Sequence, residues 1–232
     1  MAGFMAWAYD FAETFQKCFI RENRYMLLLK GIGVTIQISL LAVALGILIG
    51  FLIALCNLSN KKPLRAIGGV YTDVIRGTPS VTQLMIIYFV VFASIDIPKW
   101  IIAAIAFGIN SGAYVSEIIR AGILSIDRGQ TEAGRSLGLN GRQTMIHIVA
   151  PQAVKNIFPA LCNEFIVLIK ETAVVGYVGL MDIQKAGDFI RSATFARFMP
   201  LIGTAVIYYV LIKLLTLFFR KIEERLRKSE IR

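Results

Sequence analysis

Residues 31–56, GIGVTIQISLLAVALGILIGFLIALC, contain no charged side chain. At about 1.5 Å per residue, a helix of this length crosses a hydrocarbon core roughly 30 Å thick. Within that core an unpaired backbone group costs several kcal/mol, so a helix that satisfies its own backbone is the stable form. Further long apolar blocks follow, and 56% of the chain is hydrophobic against 17% charged, with a mean hydropathy of +0.67. A soluble core of this size does not absorb that much apolar surface. The class that follows is an all-α integral membrane protein.

A polar, basic turn, NLSNKKPLR (residues 57–65), separates the first block from a second at 66–93. Arg76-Gly77-Thr78-Pro79 interrupts the second block. Pro79 has no amide hydrogen and disfavours a helical Thr78, so a kink or a fresh helix start is expected there. A short loop at 94–99 leads to a third block at 100–116, which Glu117 and Arg120 continue. The fourth, 157–181, carries Glu164, Lys170 and Glu171, and the fifth, 198–219, contains Lys213 near one end, where a lysine can snorkel. Five spans are expected, which puts the termini on opposite sides.

Basic residues set the orientation. Lys61, Lys62 and Arg65, then Arg120, Arg128, Arg135, Arg142 and Lys155, then the cluster from Arg220 to Arg232 fall on one side and outnumber those on the other. The positive-inside rule makes that side cytoplasmic, with the N-terminus outside and a basic tail, 221–232, inside. The net charge of +10 is thereby explained without nucleic acid. Residues 1–30 lack the layout of a removable signal. Their Phe4, Trp7, Phe11, Phe15 and Phe19 recur at helical spacing, as in an amphipathic helix lying in the outer interface.

Gly46/Gly50 and Gly108/Gly112 have the small-xxx-small spacing that lets helices approach closely, within one chain or between two. Cys18, Cys56 and Cys162 and the single histidine, His147, have no metal-ligand spacing, so no metal site is expected. No Ser/His/Asp arrangement suggests an embedded enzyme. Arg76 is expected to pair with Asp73 or Glu117.

The connector between the third and fourth blocks, about 126–153, is polar and helix-like. Asp127…Gln130 and Asn140…Gln143 have capping-box spacing, Gly138 can end a first short helix and Pro151 a second. Met145, Ile146 and Val149 give the second an apolar patch, and Arg135 and Arg142 add charge. Two short helices at a bend make a knob suited to a groove on a soluble partner.

Glu132-Ala133-Gly134, Gly138, Ile148 and Pro151 resemble the EAA loop of ABC importer permeases, with Gly134 where the third residue is usually Ala and Ala150 where Leu usually precedes the proline. Arg76-Gly77-Thr78-Pro79, Asn110-Ser111-Gly112-Ala113-Tyr114 with Glu117 and Arg120, and Asn163-Glu164-Phe165 with Lys170-Glu171-Thr172 extend the resemblance to the polar amino-acid subfamily, from about residue 31 onward. The resemblance implies a five-helix permease domain, 31–220, in the plasma membrane of a prokaryote. Its coupling helix, with Glu132, Ala133, Gly134, Arg135, Gly138, Ile148 and Pro151, would rest on a dimer of cytoplasmic ATP-binding subunits. It further implies a second permease copy or a homologue, and an extracytoplasmic solute-binding protein docking on 94–99 and 182–197. The chain has no G-x-x-x-x-G-K-[ST] phosphate loop, so ATP and Mg belong to the partner and no cofactor is expected here.

Charge inside a bilayer costs about 2.5 to 3.5 kcal/mol per residue on insertion scales, so the fourth block needs explaining. Glu164 and Glu171 are seven residues apart and share a helix face; Asn163 and Lys170 share the next. Either acid and base pair across the bundle, or these groups line a pathway. In the second case Asn110, Ser111, Asn163, Glu164, Lys170 and Glu171 are the substrate-binding candidates, and the acids favour a basic or polar amino acid. The alternative function is an ion- or proton-coupled carrier in which Glu164 and Glu171 titrate, but such a carrier has no need of the knob.

Overall fold

The computed structural model describes the backbone of residues 2–228 and the side chains of residues 9–225. The side chains of Phe4, Trp7, Arg227, Lys228 and Arg232 therefore lie outside the described residues. Every regular element among those described is a helix. Helix α1 (Ala2–Phe15) passes through a π-type turn (Gln16–Ile20) and a 3-10 turn (Arg21–Asn23). Glu22 (φ 56) and Asn23 (φ 53) take left-handed backbone there, which swings the chain into α2 (Tyr25–Leu58). Cys18 and Phe19 are buried against Leu28, Ala186 and Ile190.

Helix α2 begins six residues before the uncharged block and includes Lys30, whose side chain is exposed. It packs on α5 (Lys99–Leu124), and the two small-xxx-small pairs face each other inside this one chain. A Cβ at Gly46 would lie 2.9 Å from Ser111 Oγ, one at Gly50 2.6 Å from Val115 Cγ1, and one at Gly112 2.8 Å from Ile49 Cγ2. The same seam grades into a core of Ile38, Ala42, Leu84, Ala103, Ala104, Phe107, Leu168 and Val175.

Between α2 and α5 lie α3 (Lys62–Arg76) and α4 (Ser80–Ile86), the latter prolonged by a π-type turn (Ile87–Val91). They meet at 103°, across the Gly77-Thr78-Pro79 break. After α5 come α6 (Arg128–Ser136) and α7 (Gly141–Thr144). A π-type turn (Met145–Val149) then runs directly into α8 (Ala150–Glu171). Pro151 therefore does not stop the helix. The Ala150 amide bonds back to Met145 O, five residues earlier. The widened turn carries the chain past a proline that has no amide to donate. A second proline, Pro159, lies inside α8.

A 3-10 stretch (Thr172–Val178), ended by Gly179 at φ +76, leads to α9 (Ile183–Thr194). The segment expected as a loop at 182–197 is thus largely helical. Buried Asp182 is its N-cap, accepting from the amides of Gln184 (3.1 Å) and Lys185 (3.0 Å) and from the Tyr208 hydroxyl (3.1 Å). Helix α10 (Met199–Lys228) continues without a break into the basic tail.

Among the described residues three helices, α2, α5 and α10, are long and apolar enough to cross a membrane, and the bent α3–α4 pair makes a fourth if counted as one span. Helix α8 has 22 residues, but Lys155, Asn156, Asn163, Glu164, Lys170 and Glu171 keep it below that apolarity.

Candidate functional site

Two features stand out, a knob at the α5–α8 connector and a buried acid between the same two helices. In the knob, Asp127 Oδ1 accepts from the Gly129 amide at 2.6 Å and caps α6. The second half of a capping box is absent, since the Gln130 side chain meets Gln152 Nε2 at 3.2 Å instead. Helix α7 has the full box: Asn140 Oδ1 accepts from Gln143 N, and Gln143 Oε1 from Asn140 N, both at 2.9 Å. Gly138, at φ +85, closes α6 with Gly138 N donating to Arg135 O (3.0 Å) and Leu139 N to Gly134 O (3.2 Å). That pair of bonds is the Schellman stop, which only glycine enters without strain.

The EAA-like residues divide in two. Gly134 is buried, and a Cβ there would sit 2.7 Å from Ile148 Cδ1 and 2.9 Å from Thr144 Cγ2, so Gly134 and half-buried Ile148 form the joint between the knob's two helices. That contact gives a packing reason for glycine where the resemblance leads one to expect alanine. Glu132, Ala133, Arg135, Gly138 and Pro151 are exposed. The same connector exposes apolar side chains: Met145, Ile146 and above all Leu137, which is 81% exposed. Leu137 was not among the residues singled out in the sequence. Its signal was an apolar residue directly before the helix-ending glycine.

At the neck of the knob Asn156 Nδ2 donates to Ser125 Oγ at 2.9 Å, and Gly122 of α5 packs flush against Ile157 of α8. Further along the same two helices Ser111 Oγ donates to Glu164 Oε1 at 2.8 Å. Glu164 is 8% exposed. Ser111 lies thirteen residues from the end of α5 at Leu124, and Glu164 fourteen from the start of α8 at Ala150. At about 1.5 Å per residue each arm is about 20 Å long.

The remaining candidates do not converge on that pair. Asn110 is buried, but its Nδ2 donates to Gln83 Oε1 at 2.9 Å. Asn163 and Lys170 are exposed and Glu171, at the end of α8, is half-buried. Among the described residues neither Glu164 nor Glu171 forms an ion pair. Arg76 is exposed and forms no ion pair within 4 Å with Asp73 or Glu117, although its charge acts on Glu117 from beyond that range; its guanidinium lies 5.4 Å from the ring centre of Tyr114. Glu117 is held by Arg120 at 2.8 Å, one turn along its own helix.

A helical bundle with apolar spanning helices, polar contacts buried between them and a capped amphipathic knob on one connector has the build of a membrane permease. The chain belongs to the family of binding-protein-dependent transport system inner membrane components, which matches residues 46–228, knob and buried acid included. It is 40% identical over 205 residues to the arginine transport system permease of Bacillus subtilis, covering 88% of this chain and 94% of that one. To the glutamine transport system permease of Escherichia coli (strain K12) it is 33% identical over 204 residues, covering 87% and 93%. A solved amino acid ABC transporter with histidines superposes with a TM-score of 0.82 at 41% identity, over 89% of this chain and 98% of the other. The family resemblance read from the dispersed motifs is thereby established.

Proposed function

We propose that the chain is the membrane-spanning subunit of an ATP-driven importer for polar or basic amino acids, working by alternating access in the plasma membrane of a prokaryote. Helices α2, the α3–α4 pair, α5, α8 and α10 are its five spans, residues 31–220 its permease domain and 1–30 an outer interfacial segment. The N-terminus is outside and the C-terminus cytoplasmic. The relatives named for arginine and glutamine support the substrate class, and a buried carboxylate with one hydroxyl donor suits a cationic or amide side chain.

The knob carries the ATP-driven reading. Its exposed Leu137, Met145 and Ile146, carried on the same short connector as exposed Glu132, Arg135 and Arg142, combine apolar and charged surface, the composition of a docking element. A dimer of cytoplasmic ATP-binding subunits, which hold the ATP and Mg, would receive it. A second copy of this chain, or a homologue, completes the pathway, and an extracytoplasmic solute-binding protein docks near 94–99 and α9. This chain needs no cofactor of its own. Because the knob joins α5 to α8 at their neck, moving it moves both arms that end on Ser111 and Glu164. Asn110, Asn163, Lys170 and Glu171 are the remaining candidates for the pathway.

Uptake into proteoliposomes decides the matter. Transport by the purified chain with its co-purifying ATPase should require ATP and be abolished by Leu137→Glu without loss of insertion. Uptake driven by a proton gradient, with no ATPase present, overturns the reading.

A further inference from the structure

The α3–α4 bend creates a problem that a membrane makes severe. A 103° turn frees backbone carbonyls at the end of α3, and Pro79 contributes no amide to replace the lost donors. One side chain answers most of it. Gln83, only 8% exposed, sends Nε2 to Ile75 O (2.7 Å), Thr78 O (3.2 Å) and Thr78 Oγ1 (2.7 Å), and Thr78 Oγ1 in turn donates to Val74 O at 2.9 Å.

If capping the bend were the whole role, the other end of the amide would be idle. It is not. Gln83 Oε1 accepts from Asn110 Nδ2 at 2.9 Å, and Asn110 is 3% exposed on α5. Three oxygens around Nε2 and a donor at Oε1 fix the amide's orientation, because a flipped amide would set oxygen against oxygen. A second tie reinforces the first: Tyr71 of α3 donates its hydroxyl to Ile109 O at 2.6 Å, one residue before Asn110. Asn110 in turn directly precedes Ser111, which holds Glu164 at 2.8 Å.

We infer that Gln83 is a positioning residue: it locks the bend and ties it to Asn110, so that α4 and Ser111, the α5 half of the Ser111–Glu164 contact, move as one body. The substrate-related part of this inference rests on the importer reading above; the mechanical part does not. In a buried setting a lost bond of this kind weakens the coupled state by about tenfold.

The test uses the full complex in proteoliposomes, with nitroxide labels introduced by Val74→Cys and Val90→Cys on either side of the bend and Cys18, Cys56 and Cys162 replaced by alanine. Gln83→Met keeps the length and removes both polar ends. It should broaden the label-to-label distance distribution and raise the KM for amino-acid uptake about tenfold, with ATPase co-purification unchanged. An unchanged distribution with an unchanged KM overturns the inference, and so does a lower melting temperature with KM intact, which would make Gln83 a cap and nothing more. Should Gln83→Met fail to insert, Asn110→Ala decides. It leaves the bend capped, so the distribution should stay narrow while KM rises by the same factor for arginine and for glutamine; an unmoved KM overturns the tie, and so does a rise for one of them alone, which would make Asn110 a substrate contact. If the unmodified complex moves no amino acid at all, the importer reading fails, and the distance measurement alone still judges the pin.

Discussion

Gly138 and Gly141 offer a matched pair of substitutions. A Cβ at either position meets nothing within 4 Å, so replacement by alanine adds no clash. They differ in backbone: Gly138 sits at φ +85 and Gly141 does not share that left-handed conformation. Alanine at Gly138 therefore pays the left-handed penalty, about 1–2 kcal/mol, and alanine at Gly141 pays none. Helix α6 has nine residues and is too short to hold itself together without its stop and its joint. The relaxed variant sheds the strain by unwinding its last turn, which carries Leu137, and docking must rewind it. Binding of the ATPase to Gly138→Ala should weaken by at most about five- to thirty-fold, and by less than twofold for Gly141→Ala. Titration of the ATP-binding subunit onto the permease in detergent or nanodiscs, with transport per ATP hydrolysed measured alongside, gives both numbers. Equal affinities for the two variants would refute the role assigned to this turn.

Other outcomes follow from single contacts. Glu164→Gln keeps an acceptor for Ser111 but removes the charge, so KM for cationic amino acids should rise about ten- to a hundredfold relative to that for glutamine, read from competitive uptake. Asp182→Ala removes the α9 cap, about 1 kcal/mol, and one partner of the Tyr208 hydroxyl, about 1 kcal/mol more, which thermal unfolding of the chain in detergent will register. Gly31→Ala forces a Cβ to 2.7 Å from the Asp182 backbone and should destabilise by about 1–3 kcal/mol, whereas Gly33→Ala, two residues on with nothing within 4 Å, should not.

The parts of this fold that were legible in the chain are those governed by local chemistry. An uncharged stretch too long for a soluble core announced α2, the missing amide of Pro79 announced the bend, and Gly138 and Asn140 announced the stop and start inside the knob. Where three-dimensional company decides, the sequence was silent or misleading. Asp182 looked like one charge in a polar loop because its partner Tyr208 lies 26 residues away on another helix. Pro151 looked like a stop because a π-type turn is invisible to a 3.6-residue period. Gln83 looked unremarkable because its importance lies in carbonyls exposed by a bend and in an asparagine 27 residues away. The pairing of Asn110 and Ser111 as one set of site residues likewise split, since neighbours on a helix point to different partners.

The bundle has one seam that is tight along its length and one that is tight only at the knob's neck, and the difference predicts where it moves. Without a hydrophobic force between helices in lipid, close backbone approach and short-range dispersion hold a seam together. Between α2 and α5 the glycines leave gaps so narrow that a single Cβ would collide, and sliding there forfeits contacts along the whole length. Between α5 and α8 a close approach of that kind is found at the neck, Gly122 against Ile157, which makes the neck a pivot; beyond it the helices are linked by Ser111 to Glu164, a polar link that water or substrate can replace. Helix α8 is also the weaker rod, entered through a π-type turn and lacking an amide at Pro159. Conformational change should therefore carry α2 and α5 as a unit and shift α8 against them. Label distances from α2 to α5 should stay constant between the nucleotide-free and ATP-bound complexes while those from α5 to α8 change, and a moving α2–α5 distance would contradict the glycine argument directly.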